Sequence, residues 1–230
     1  MRFGSADLLP VLAVLVVSSI VVLWVQRRYS TVDGRLVAAS WGAHILSALV
    51  QLWLVLRVYG VGDVLMYDRY GRDLSAAMRA DPWTVIPQVF GVVLQQGNRL
   101  SVFVPADGQP TGSMVALTSL VHVVLGDSLL AAALWFSLLS FIGKLLLLET
   151  FRSTTPEHTH RALLFAVLFV PSAVFWSSGV IKEAVALLGI GLFVFGVHRT
   201  FEGRGMGLAM VASGAVVMGI VKPYILMGLT

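Results

Sequence analysis

Apolar residues run almost uninterrupted for about 15 to 25 positions at a time along most of this chain, with none of the period-two alternation of a barrel strand. At 1.5 Å of rise per residue, about 20 apolar residues cross a hydrocarbon core roughly 30 Å thick. The pattern predicts membrane helices over 8–25, 36–58, 113–126, 128–151, 162–176, 180–198 and 206–227. The fold class expected is all-α: a polytopic transmembrane helical bundle of about six to seven membrane helices, forming a single integral membrane domain over 1–230. The longer and more polar stretch 59–112 is expected to be an amphipathic external loop.

Interruptions carry the detail. Gly126-Asp127 reads as a helix break with Asp127 as an N-cap. The piece before it, 113–126, covers only about 21 Å at helical rise, so it is expected to be re-entrant or interfacial, or else to cross and invert everything downstream. Within the loop, Asp73–Met78 predicts a short amphipathic helix stopped by Asp81-Pro82. A second apolar piece, Val85–Leu94, has Trp83 and Phe90 suited to a membrane interface.

Composition sharpens the class. The chain has 230 residues, of which 57% are hydrophobic and 12% charged. Its mean hydropathy is +0.87. That leaves too little polar surface to clothe a water-soluble globule, which excludes a soluble enzyme, a nucleic-acid module and a disordered tail. The net charge of +4 fits the positive-inside bias of a bacterial-type membrane protein better than nucleic-acid binding. Short basic loops place Arg27, Arg28, Arg35, Arg152, Arg161, Arg199 and Arg204 in the cytoplasm. Segment 59–112 has Arg69, Arg72, Arg79 and Arg99 against Asp63, Asp68, Asp73, Asp81 and Asp107, four minus five, so it and the N-terminus are expected outside. With no Cys there is neither a disulfide nor a thiolate metal site. Gln26-Arg27-Arg28-Tyr29 follows the first run where a cleavable signal would need small residues. The sequence stops at Leu229-Thr230 just after an apolar helix, which leads us to expect a longer parent protein.

Charges that interrupt apolar runs are costly, about 2.5–3.5 kcal/mol at a helix centre, so each asks for a reason. Asp63 lies where the second run emerges, held by a helix end and suited to accept a proton from an acceptor hydroxyl; its other reading is a helix end at the water interface. Asp68, five residues on, is expected to assist it or to bind a metal. In Trp176-Ser177-Ser178-Gly179-Val180-Ile181-Lys182-Glu183 the chain turns, leaving Lys182 and Glu183 in the first helical turn, where free N–H groups and an ammonium favour a phosphate. Lys182 snorkelling from an interfacial helix start is the alternative. Lys222-Pro223-Tyr224 places a cation and a kink near the same outer level, or else a plain interfacial anchor. Lys144 has no partner at helical spacing, His122 reads as a core or interface histidine, and His158-Thr159-His160 is a metal signal lacking a third ligand. Gly189, Gly191 and Gly214 read as permitting close helix packing.

An Asp just after an outward span, followed by Tyr and an amphipathic helix, resembles the first external loop of the GT-C superfamily of polyprenyl-phosphate-dependent glycosyltransferases. Leu125-Gly126-Asp127-Ser128-Leu129-Leu130-Ala131-Ala132 is similar to the helix pair that follows it there. The stretch Pro171–Glu183, with Lys222-Pro223-Tyr224 later, resembles segments of bacterial sugar-polymer enzymes related to O-antigen polymerases. The resemblance covers roughly residues 36–227 and departs in the early stop and in the extra span 8–25. It implies Asp63 and Asp68 as catalytic residues. It also implies Lys182, Lys222, Arg99 and Tyr224 as ligands of a lipid-linked phosphate, supported by Glu183, Ser177 and Ser178. The partners implied are membrane lipid and a polyprenyl-phosphate-linked sugar in a bacterial cytoplasmic membrane, with no cofactor and no metal supported by the residues. A membrane-protein partner or a further C-terminal part is also implied by the departures. A transporter or flippase for an anionic amphiphile would use the same charges at broken helices. A path of charges reaching Lys144 favours that reading, and charges confined to interfaces favour a non-catalytic subunit.

Overall fold

The computed structural model describes residues 4–97 and 100–228. Among them every regular element is a helix. The helices are α1 (Ser5–Gln26), α2 (Thr31–Leu54), α3 (Asp63–Ala80), α4 (Pro82–Val93), α5 (Pro110–Leu125), α6 (Leu129–Thr154), α7 (His160–Leu168), α8 (Pro171–Phe175), α9 (Lys182–Phe201), α10 (Gly207–Val221) and α11 (Pro223–Met227). Four segments are long and apolar enough to cross a membrane: Asp7–Gln26, Thr31–Tyr59, Leu129–Thr154 and Lys182–Phe201. The last turn of Thr31–Tyr59 is a π-turn, Val55–Tyr59. α4, α5 and α10 are apolar but shorter, so the apolar runs of the sequence outnumber the helices of spanning length. α1 leaves Leu8, Leu9, Leu12, Val16, Ile20 and Leu23 exposed, as a lipid-facing helix does.

The three basic loops meet at one end. Tyr29, between α1 and α2, lies 3.4 Å from Glu149 near the end of α6, and Arg152 stacks over its ring. Ser153 of α6 meets His198 of α9 at 2.8 Å. From this common level the helices reach different heights. At 1.5 Å per residue the 29 residues of Thr31–Tyr59 rise about 44 Å and the 26 of α6 about 39 Å, against about 30 Å for the 20 of α9. α9 is therefore shorter than α6 and than Thr31–Tyr59.

Close approach makes the hairpin. A Cβ on Gly189 would fall 2.8 Å from Met218, and one on Gly196 2.6 Å from the Val211 nitrogen. Gly143 of α6 and Gly191 of α9 abut each other's helix backbones in the same way. In lipid no hydrophobic term separates helix contact from lipid contact, so small residues that let backbones touch supply the dispersion and packing.

Segment 59–112 is more regular than its polarity suggested. The chain leaves the π-turn through Gly60, at φ 67, and enters the full helix α3, 18 residues rather than the short 73–78 piece. Asp81 ends α3 and caps α4, accepting from Thr84 N. α5 does not run along the spans. One end meets α9 through Thr111 and Lys182, and the other, Gly126, comes against Pro10 near the start of α1. Both contacts lie at the end opposite the basic loops, so α5 lies across that end, and α3 runs beside it in the same direction. The break after α5 is also resolved differently from the sequence expectation. Ser128, not Asp127, caps α6, and Asp127 instead pairs with Arg79 at 2.6 Å.

Candidate functional site

The site lies where α9 begins and α10 ends, at the end opposite the basic loops. Lys182 opens α9; its N-cap Ile181 supplies no side-chain acceptor for the first-turn N–H groups. Its Nζ donates to Thr111 Oγ1 at 2.7 Å. Among the described residues no carboxylate stands within ion-pair distance of it. Glu183 accepts from Lys222 Nζ at 2.5 Å, so adjacent residues of one helix turn to different partners, as their 100° separation requires. Lys222 reaches Glu183 because α10 stops at Val221 and Pro223 restarts the chain as α11. Lys222 also lies 5.7 Å from the ring of Tyr224, which is 63% exposed.

Asp63 is at the first position of α3, exposed. One turn on, Tyr67 is buried and donates to Asp63 at 3.3 Å. Burial, then Asp63, then Glu183 hold the Tyr67 phenol well above its ordinary range, with a bond to Thr111 acting the other way. Tyr67 is thus the hinge of the cluster. It joins the Asp63 carboxylate to the Thr111–Lys182 pair and senses Glu183 from α9.

Beside the Glu183–Lys222 pair runs an apolar groove of about 250 Å³. Ala173, Trp176, Leu187, Ile190 and Ile225 line it, with Ser177 at its wall. An ion pair at the head of an apolar groove is the arrangement an amphiphile with a charged head and a hydrocarbon tail requires.

The remaining sequence candidates fall elsewhere. Asp68 is 1% exposed and turns away from Asp63. Arg72 reaches it at 2.8 Å and His122 Nε2 at 3.2 Å. Its hydrogen bonds come from Arg72, and it does not meet Asp63, because successive residues of a helix diverge and Tyr67, not Asp68, lies one turn above Asp63. Ser177 bonds back to Ala173 O, and Ser178 points into the bundle, 3.0 Å from His44 Nδ1. Arg99 lies outside the described residues. Among the described residues no His, Asp and Glu cluster could hold a metal ion, and His160 instead bonds Thr155 O at 3.1 Å.

Three residues were missed. Tyr67 had a signal, since it is four residues from Asp63 on an expected helix. Thr111 had none, being 71 positions from Lys182. His44 is the partner that Lys144 lacked: the two meet at 3.3 Å inside the bundle, where Lys144 is 2% exposed. With Ser178 they form a buried polar chain, which hangs the 176–181 turn from α2 together with Ser137, whose hydroxyl accepts from Gly179 N at 2.9 Å. Gln51 adds a bond to Phe175 O. This hanging turn fixes where Lys182 begins α9.

Comparison with known proteins gives no match to any protein family, to any curated protein or to any solved structure.

Proposed function

We propose that this chain is a membrane glycosyltransferase, or a polysaccharide repeat-unit polymerase of GT-C type. In this reading it transfers sugar from a polyprenyl-phosphate-linked donor at the face opposite the basic loops. One observation carries the reading: Lys182, a cation with no carboxylate of its own, sits one residue from the Glu183–Lys222 pair that heads an apolar groove. The prenyl chain lies along Trp176, Leu187 and Ile190, and the phosphate meets Lys182, with Lys222 released from Glu183 as the anion enters. Asp63, across Tyr67, takes the proton of the acceptor hydroxyl. The acceptor oxygen bonds to the anomeric carbon, the bond from that carbon to the phosphate oxygen breaks, and its electron pair leaves on the phosphate. Fixed cations stabilise that charge as it develops, and the base contributes about 10²–10⁴-fold.

In the same reading α7–α8 and α10–α11 are broken crossings that join the four long helices to make six, and α5 lies on the membrane surface. The membrane is the bacterial cytoplasmic membrane, with the basic loops inside.

The test is sugar transfer in proteoliposomes containing a polyprenyl-phosphate-linked donor. Wild-type protein is expected to release polyprenyl phosphate, and Lys182→Met is expected to lose that release. Donor turnover equal in both proteins contradicts the proposal. A second reading, transport of the lipid-linked solute, draws on the buried Lys144–His44–Ser178 chain inside the bundle. It predicts flux of a lipid-linked sugar without turnover, abolished by Lys144→Met, in the same vesicles.

A further inference from the structure

The geometry points to a second anion site at the opposite end of the bundle, where Arg27 and Arg35 bind the phosphate of an anionic membrane lipid. The turn between α1 and α2 encloses a cavity of about 450 Å³. Arg27 and Arg35 line it from either side of the turn, with Ser30, Thr31 and Leu23 also in its lining; the Ser30 hydroxyl oxygen accepts from Asp33 N at 3.2 Å. The cavity is braced: Gln26 Nε2 donates to Gly34 O at 3.0 Å, and a Cβ on Gly34 would fall 3.3 Å from Gln26 O. Its walls are therefore held close before any ligand arrives.

The Arg27 and Arg35 side chains, like that of Arg161, have no internal partner among the described residues, and unlike Arg161 they line the cavity. Arg28 stacks 3.7 Å over Trp24, Arg152 lies over Tyr29, Arg199 over Phe195, and Arg204 pairs with Glu202. Among the described residues the Arg27 and Arg35 side chains have neither a carboxylate at ion-pair distance nor a hydrogen bond. Asp33, the nearest acid in sequence, is not among the residues lining the cavity. Tyr29 also lines the cavity and gives its hydroxyl to Glu149 at 3.4 Å. Two guanidinium groups around one space match the oxygens of a phosphate, since arginine forks bind such groups by paired N–H donors.

The shared chemistry is a phosphate group, and the source we assign is a lipid. Leu23 is 57% exposed on the lipid-facing side of α1, where Leu12, Val16 and Ile20 are exposed too. An acyl chain attached to the bound phosphate has that apolar face to run along. A soluble phosphate would use none of it.

The experiment is native mass spectrometry of the full chain in detergent, titrated with phosphatidylglycerol, with inorganic phosphate as a second ligand. At about 1 kcal/mol for each basic residue, the double variant Arg27→Gln/Arg35→Gln is expected to bind phosphatidylglycerol about thirtyfold more weakly. Arg161→Gln/Arg204→Gln removes the same charge from the same end outside the cavity and is expected to change binding less than about threefold. Equal weakening in both double variants would show a diffuse positive surface and overturn the site. Unchanged binding in the first would overturn it as well. Occupancy by inorganic phosphate equal to that of the lipid would assign the cavity to a soluble anion and overturn the lipid source. Both pairs of arginines are exposed, so thermal unfolding is expected to be unaltered in either variant.

Discussion

Asp63 and Asp68 are five residues apart on one helix, and their surroundings are opposite. Asp68 is buried and met by Arg72 and His122, and a turn further along the same seam Arg79, Ser75 and Asp127 bond to one another. The two carboxylates there, Asp68 and Asp127, are each met by an arginine. Asp63 is exposed, with the phenol of Tyr67 as its neighbour, and the cation on the far side of Tyr67 has no carboxylate. The first arrangement fastens α3 to α5. The second leaves an acid and a base unspent at the mouth of an apolar groove. A carboxylate in an apolar protein is therefore informative through what it leaves unbalanced, more than through its being there.

That contrast can be broken most sharply at Asp63. Asp63→Asn keeps an acceptor for Tyr67 but removes the base, so transfer is expected to fall about 10²–10⁴-fold while unfolding shifts by less than about 0.5 kcal/mol. Steady-state turnover and thermal denaturation of the same preparation check both halves. Asp68→Asn is expected to do the reverse. Leaving Arg72 and His122 beside a neutral amide costs about 3 kcal/mol of stability, seen as a lowered unfolding midpoint, with turnover per folded molecule kept. Should Asp68→Asn abolish turnover in folded protein, the division of labour on α3 is wrong.

A third variant asks how much the close approach of α6 to α9, which carries Lys182, contributes to stability. Gly143→Ala puts a methyl group against the Leu187 backbone, which cannot yield as a side-chain tip would. A loss of about 2 kcal/mol is expected by chemical denaturation in micelles. The smallest effect concerns the basic end. Burial, then Glu149, push the Tyr29 phenol from 10.0 up to about 12. The raised value favours the neutral phenol in the fold, so its contribution is complete below pH 10.0 and is lost as pH rises to about 12. Tyr29→Phe is expected to flatten stability against pH across that window, and an unchanged slope would place the alkaline loss elsewhere.

The sequence disclosed the helical class and the basic end, and it marked Asp63, Lys182, Glu183 and Lys222 as charges at helix ends, because each of these rests on local facts: unbroken apolar runs, arginines in short loops, charges beside helix breaks. It did not disclose which carboxylate was satisfied. Asp68 is answered by His122, 54 residues on, and Lys182 by Thr111, and no period or spacing announces such meetings. Four segments are of spanning length where the apolar runs suggested about six to seven membrane helices, and the difference has a related reason. An apolar run shows that a segment is buried or in lipid, but not its direction, and α5 spends its apolar residues lying across the bundle end between Lys182 and Pro10. Lys144 looked unpartnered because its partner His44 lies exactly 100 residues earlier on another helix.

The most direct test of one shared site uses the absence of cysteine from the chain. Single cysteines at 63, 182 and 222, with one at 204 in a basic loop, are labelled by a membrane-impermeant thiol reagent in intact cells and again after permeabilisation. The account predicts labelling of 63, 182 and 222 from outside, slowed at 182 and 222 by added polyprenyl phosphate, and labelling of 204 only after permeabilisation. Labelling of 182 and 222 from the side of 204, with 63 on the other, would contradict it, since the acid and the cations would then face different compartments.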